Sequence, residues 1–597
     1  MSLAEQIKAS AKQALDELYP GTEMPASAIT VNQTKPEFTG DYTLVLFPFL
    51  KLLKTKPDVI GSQLGDYFVQ HSGFVVSYQV VAGFLNLAVK DEYWASFLVQ
   101  RYNDNHYGEQ GTTGKNVMVE YSSPNTNKPL HFGHLRNNFL GFAVSGILKA
   151  TGNHVIKANL VNDRGIHICK SMVAWKHYAH GATPRSTGIK GDHLVGDYYV
   201  KFNDVYKQQV EELVAEGMDE TIAEKEAPIM KEAQNMLRAW EAGDKDVVEL
   251  WKTMNGWVYE GFDITYQRLG IDFDKMYYES NTYLLGKEIV LKGLEKGVLY
   301  KKEDGSVWVN LEDEGLDQKL LLRADGTSVY MTQDIGTAIL KYNDFKLDKS
   351  VYVIADEQNY HMQVLQLVLK KLGEPCANAI HHLSYGMVEL PTGRMKSREG
   401  TVVDADDMID EMIAMARQQT EEAGKTEGFT EKELEELYET IGLGALKFYL
   451  LRVDPKKKMI FDPKESIDLH GFTATFIQYA HARICSILRK EGIDRNAAVF
   501  PDFKLAEAIT PAEKALVLSL EQYVSVMMSA AEEYNPSLLC NYTFQLAQQF
   551  NSFYDVHSIA KAENEEKKQL RLMIIIMVAR VMGHAMGTMG IRLPEKM

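Results

Sequence analysis

Lys128-Pro129-Leu130-His131-Phe132-Gly133-His134 stands between a short β-rich run and a helical run. Upstream, Val117-Met118-Val119-Glu120-Tyr121 reads as a strand, and Ser122-Ser123-Pro124-Asn125 as a turn. Downstream, Phe139, Phe142, Ala143 and Ile147 recur at helical spacing, and His154 to Leu160 is a second strand candidate. Strand, loop, helix, strand predicts the start of a parallel nucleotide-binding sheet. Two histidines three apart at a helix start suit phosphate, because unpaired N–H groups and a partial positive charge gather there. Gly133 permits close backbone approach, and both imidazoles can donate hydrogen bonds. The same residues also fit two structural histidines opening a helix.

A second signal lies downstream at Gly393-Arg394-Met395-Lys396-Ser397-Arg398-Glu399-Gly400-Thr401. A glycine-bounded basic loop with hydroxyl groups can close over a triphosphate and neutralise leaving pyrophosphate. Alone it fits a solvated basic turn equally. The two signals in this order, on a parallel-sheet background, are far more specific.

Working outward, residues 1–110 read as a small α/β unit. Ala4 to Leu18 is helical in period, Val75–Val81 and Phe84–Val89 are strand candidates, and the polar, glycine-rich stretch from Tyr102 to Gly114 is a linker. Residues 111–462 form the sheet-bearing region, with an insertion at about 183–320 that has helical faces at Met230, Ala233, Leu237 and Trp240 and at Trp251, Met254 and Val258. The sheet pattern resumes at Ser328-Val329-Tyr330-Met331-Thr332 and at Val351–Ala355, and 463–597 reads as all helix. The expected fold class is therefore α/β. It has a Rossmann-like parallel-sheet catalytic domain with helical insertions, a small N-terminal α/β domain and an all-α C-terminal domain.

Composition narrows the function classes. The 597 residues are 45% apolar and 24% charged, ordinary for several globular domains. Net charge is −17, from 64 basic and 81 acidic residues, which argues against non-specific coating of nucleic acid while leaving room for a local basic track. Cys169, Cys376, Cys485 and Cys540 form no CxxC pair, so neither a zinc site nor a disulfide framework is expected, and a reducing cytoplasm is. The most apolar run near the C-terminus, Leu572 to Ala579, stops at Arg580, so no membrane span is expected. The N-terminus shows no basic-then-apolar signal pattern.

His131-Phe132-Gly133-His134 resembles the HIGH signature of class I aminoacyl-tRNA synthetases, and Arg394-Met395-Lys396-Ser397-Arg398 resembles a variant of their KMSKS loop. Further matches narrow the resemblance to arginyl-tRNA synthetases: Glu120 through Asn125 to Lys128, Asn162-Asp163-Arg164-Gly165, Tyr330 through Asp334 to Gly336, and Gln478-Tyr479-Ala480-His481-Ala482-Arg483. The resemblance covers the whole chain, most weakly in residues 1–110 and 183–320. It implies ATP-dependent ligation of L-arginine to tRNA(Arg) through arginyl-adenylate, with ATP as substrate, Mg²⁺ on the pyrophosphate and no zinc, by a monomer in the cytoplasm.

The resemblance also implies roles. His131, His134, Lys128, Lys396, Ser397 and Arg398 would be catalytic, and Gly133 and Met395 would join them in holding ATP. The loop lacks the second lysine of KMSKS, with Ser397 in that place, and Lys128 stands where family members carry a compensating lysine. The amino acid pocket would use Asp334 against the guanidinium, matched in charge and fork geometry, with Tyr330 lining it and Glu120 as a second carboxylate. Ser123, Asn125 and Gln358 would contact the rest of the amino acid. By residue type alone, Asp334 could equally be a helix cap and Tyr330 a core phenol. In the helical tail, which resembles an anticodon-binding domain, Phe476, Tyr479 and Arg483 share a helix face suited to unpaired bases and phosphates. Phe476 also fits a core stripe. Residues 1–110 resemble the family's extra tRNA-contacting domain, with Gly83-Phe84-Leu85-Asn86 as the match.

Overall fold

The computed structural model describes residues 2–21, 25–35, 37–391, 403–424, 426–495 and 508–597. The chain opens with helix Leu3–Leu18, whose face at Leu3, Ile7, Ala11, Ala14 and Leu15 is buried. Strands β1 (Val31–Gln33), β2 (Tyr42–Val45), β3 (Val75–Val81) and β4 (Phe84–Val89) form an antiparallel sheet in the order β1-β2-β4-β3. Helix Asp91–Tyr102 leads out of it into an irregular connection.

Strand β5 (Asn116–Glu120) begins the central sheet and is followed by helix Phe132–Ala150 and strand β6 (His154–Val161). β6 pairs parallel with β5, and β7 (Lys275–Tyr278) pairs parallel with β6. β8 (Tyr300–Lys301), β9 (Val307–Val309) and β10 (Lys319–Leu322) make a small separate sheet. β11 (Lys349–Ala355) and β12 (Ile380–Tyr385) then complete the central sheet, whose order is β12-β11-β5-β6-β7. The chain runs one way from β5 through β6 to β7 and the other way from β11 to β12. The topological switch therefore falls between β5 and β11, where doubly wound sheets bind ligands beyond their strand ends. A short parallel pair, β13 (Val388–Glu389) and β14 (Met459–Ile460), lies outside it.

Two sequence expectations need correction. The stretch 183–320 is not a single insertion, because β7 lies inside it and forms the edge of the central sheet. Four residues of strand leave too short a period to see beside the long helices around them. The run Ser328–Thr332 is not a strand either. Ser328 makes a single bridge to Leu322, Val329 is the extended cap of helix Tyr330–Phe345, and Met331, Ile335 and Ala338 form that helix's buried stripe. A five-residue apolar run cannot be assigned by period alone.

The C-terminal region is helical, with Ala474–Lys490, Pro511–Glu532, Ser537–Val556 and Glu565–Thr588 as its long elements. The last is 24 residues long and apolar enough to cross a membrane by length and composition, which the eight-residue run did not suggest. It is instead a core helix: 78% of its most apolar window is buried, and it packs on the other three and on Phe132–Ala150. Arg580 interrupts the apolar run, but its guanidinium reaches the carbonyls of Tyr102 and Arg495.

Candidate active site

Helix Phe132–Ala150 is capped by its own two histidines. His131 is the N-cap and accepts from Gly133 N–H through Nδ1 at 3.1 Å, while His134 Nδ1 accepts from His131 N–H at 3.0 Å. Both Nδ1 atoms are acceptors, so the proton of each neutral ring sits on Nε2. Burial and the Lys128 charge hold His131 down at about 3, and burial together with His131 and Lys128 holds His134 well below the usual imidazole value. The pair is therefore neutral at working pH and keeps one N–H donor on each ring. The ring centroids are 3.9 Å apart. Gly133 serves the cap, since a Cβ there would press against the His131 ring at 3.0 Å. Burial also lowers the Lys128 ammonium. Lys128, His131 and His134 thus form one group.

The turn after β5 is held in a conformation that its residues do not favour. Ser122 and Ser123 have φ of 75° and 47°, in the left-handed region where non-glycine residues are strained. Three side chains from separate elements fix it: Asn137 Oδ1 accepts from Ser122 N–H at 2.6 Å, Asn159 Oδ1 accepts from Ser123 N–H at 3.0 Å, and Tyr266 OH meets Ser122 Oγ at 2.6 Å. This places Ser123 and the exposed Asn125 beside the switch point. Across it, Gln358 is exposed just after β11.

Helix Tyr330–Phe345 carries the other group. Tyr330, Asp334 and Lys341 stand four and seven residues apart, on one face. Tyr330 is 77% exposed and so is no core phenol. Asp334 lies one turn inside the helix, not at its cap, and accepts from His361 Nε2 at 2.6 Å. Glu120 does not offer a free carboxylate as expected: it is buried in an ion pair with Lys341. Its place at the end of a central strand puts it within reach of helix Tyr330–Phe345, of which only the first three residues fall in the strand expected at Ser328–Thr332. Lys341 is also within electrostatic range of Asp334. Read as a helix, residues 330–345 would have shown Lys341 beneath Asp334. His361, three residues after Gln358, carries no comparable signal.

Arg394, Met395, Lys396, Ser397 and Arg398 lie outside the described residues. The segment that follows them is anchored to the histidine group: Phe132 N–H donates to the Val403 carbonyl at 2.9 Å, and Ala405 N–H to the Leu130 carbonyl at 3.0 Å. Among the described residues, His193, Asp404 and Asp406 are the one group with metal-ligand spacing. Lys190 and Arg268 already pair with Asp406, so protein cations supply its counter-charge.

In the tail, Tyr479 and Arg483 share a face of helix Ala474–Lys490. The guanidinium lies 4.9 Å from the Tyr479 ring centre and donates to Asn551 at 3.0 Å. Phe476 packs on Phe544, with centroids 4.9 Å apart, and is half-buried.

Two family models match the chain: "tRNA synthetases class I (R), catalytic domain" over residues 97–462 and "DALR anticodon binding domain" over 477–597. The arginine–tRNA ligase of Amoebophilus asiaticus is 52% identical over 576 residues, covering 96% of each chain. That of Bacteroides thetaiotaomicron is 50% identical over 600 residues, covering 100% of each. The solved arginyl-tRNA synthetase of Thermus thermophilus superposes with a TM-score of 0.82 at 26% identity, over 100% of both chains.

Proposed function

Because this chain belongs to the arginyl-tRNA synthetase family and joins L-arginine to tRNA through arginyl-adenylate at the expense of ATP, we propose that two side-chain groups at the switch point divide that work. Lys128, His131 and His134 serve the phosphates, and Asp334 with Tyr330 serves the guanidinium. ATP enters as its Mg²⁺ complex. The arginine carboxylate is ionised at neutral pH and attacks the α-phosphorus, and pyrophosphate leaves. No enzyme base or nucleophile is required, so catalysis rests on positioning and charge stabilisation. The neutral Nε2–H donors would bind phosphate oxygens as charge develops, and Lys128 would add a cation. Met395, Lys396, Ser397 and Arg398 would close over the leaving group. Ser123, Asn125 and Gln358 would hold the α-amino and carboxylate end of arginine. In the second step the 2′ hydroxyl of the terminal adenosine attacks the activated carbonyl and AMP leaves.

Domain roles complete the proposal. Residues 1–110 would contact the outer corner of the tRNA, 111–462 carry the chemistry, and 463–597 hold the anticodon with Phe476, Tyr479 and Arg483. The protein would work as a monomer in the cytoplasm, which sedimentation at micromolar concentration checks. The observation that carries the site reading is the reciprocal histidine cap, because it leaves two neutral rings that each keep one N–H donor. ATP–pyrophosphate exchange with all twenty amino acids, with and without tRNA, tests it. With tRNA present, arginine should be the one amino acid of the twenty that supports exchange, and His131→Ala should lower the maximal rate by about 100-fold or more. An unchanged rate in that variant would refute the assignment.

A further inference from the structure

Away from the switch point, a cavity of about 1230 Å³ opens where three parts of the chain meet. Its walls are the Asp104–Tyr107 turn of the N-terminal connection, the C-terminal end of helix Lys245–Leu269, the middle of helix Glu431–Leu451, and helix Glu565–Thr588 with the segment after it. Five cationic side chains line it, Arg268, Lys447, Arg495, Arg580 and Arg592, against two acidic ones, Asp104 and Glu439. Arg268 is neutralised by Asp406 and Asp410, and Arg495 by Glu595. Among the described residues, Lys447, Arg580 and Arg592 have no carboxylate at ion-pair distance.

Carbonyl oxygens hold two of these three. Lys447 Nζ donates to Gly590 O at 2.7 Å, and Arg580 donates to Tyr102 O at 2.7 Å and Arg495 O at 2.9 Å. Carbonyl dipoles fix the positions of the heads and leave their net charge in place. Lys447 is almost wholly buried, and burial together with Arg592 pushes its ammonium down to about 8. In a chain of net charge −17, three cations without counter-charges around one cavity are an arrangement that an anion would relieve. The volume is ample for a nucleotide-sized ligand.

We propose that this cavity binds a small polyphosphate anion, with Lys447, Arg580 and Arg592 on its phosphates, and so ties helix Glu431–Leu451 to the C-terminal segment and the N-terminal connection. A free inorganic polyphosphate and a nucleoside triphosphate share that chemistry.

Calorimetric titration of the full-length protein tests the site, with inorganic tripolyphosphate in one arm and guanosine triphosphate in another. Arg592→Gln changes an exposed side chain at the rim. It should weaken one binding component at least about tenfold, the loss expected for one charge-assisted hydrogen bond, and leave arginine-dependent pyrophosphate exchange unchanged. Lys447→Met should remove the same component. Lys128→Ala, at the proposed phosphate site of the switch point, should leave it intact. Tighter binding of guanosine triphosphate would assign the nucleotide as ligand, and equal binding the inorganic anion. A titration unaltered by both Arg592→Gln and Lys447→Met would overturn the proposal, and so would a component lost only in Lys128→Ala.

Discussion

Lys341, in helix Tyr330–Phe345, forms a buried ion pair with Glu120 at the end of β5, with side chains 2% and 7% exposed. Burial opposes the Lys341 charge, but the Glu120 carboxylate together with Tyr352 and Asp334 outweighs it and holds the ammonium above its ordinary value. The pair fastens the helix that carries Asp334 to the central sheet. It also means that the free protein already engages both acids that the family resemblance offers to the guanidinium: Glu120 by Lys341, and Asp334 by His361.

Removing one partner strands the other. Lys341→Met should lower the unfolding free energy by about 3–5 kcal/mol, because an unpaired carboxylate is left buried. Urea unfolding would show the lower midpoint, and adding Glu120→Gln should recover most of it. A single variant as stable as the parent would mean that Glu120 has another donor.

Asp334→Asn should raise the arginine KM while leaving the ATP KM nearly unchanged. The cost of losing a desolvated charge partner is about 2–5 kcal/mol, or a factor of roughly 30 or more. Initial rates of pyrophosphate exchange against each substrate separate the two constants. Equal effects on both would place Asp334 outside the amino acid pocket.

The neutral histidines have a pH signature. An unfolded imidazole binds its proton near 6.5, whereas folded His131 does so only near 3 and His134 is also strongly depressed. Below about pH 6.5 the unfolded chain therefore binds more protons, and stability falls as pH falls from 6.5 toward 3. Above that window the two rings contribute no slope. Urea midpoints at pH 5.0 and 7.5 should differ less in His131→Asn than in the parent. An equal difference would mean that His131 titrates normally.

Lys128→Ala should reduce kcat for arginine activation by at least about tenfold, roughly 1.4 kcal/mol, with arginine affinity little changed. The nearness of the Lys128 charge to both histidines supports this. A severe Lys396→Ala beside a silent Lys128→Ala would assign the work to the loop lysine.

Arginine-dependent exchange should be negligible without tRNA and robust with it. The paired state of Glu120 and Asp334 in the free protein gives a physical route, since tRNA binding energy could rearrange the pocket by induced fit. Arg483→Ala should raise the tRNA KM without altering the tRNA-saturated rate. Full exchange by nuclease-treated enzyme would show a pocket that is already competent.

The local sequence was enough for the β5–helix–β6 unit, the helix-capping histidines and the all-helical tail. Each depends on residues close in the chain, where period and turn chemistry act directly. Tertiary structure alone decided that Tyr330–Phe345 is a helix, that β7 closes the sheet edge, and that Glu120 is spent on Lys341. It also decided that Asn137, Asn159 and Tyr266 hold the strained Ser122-Ser123 turn. Glu120 and Lys341 are 221 positions apart, and Ser122 and Tyr266 are 144. At such separations no periodicity carries information. A short apolar run takes helix or strand according to which distant surface buries it, and a buried charge is free or paired according to what the fold brings beside it.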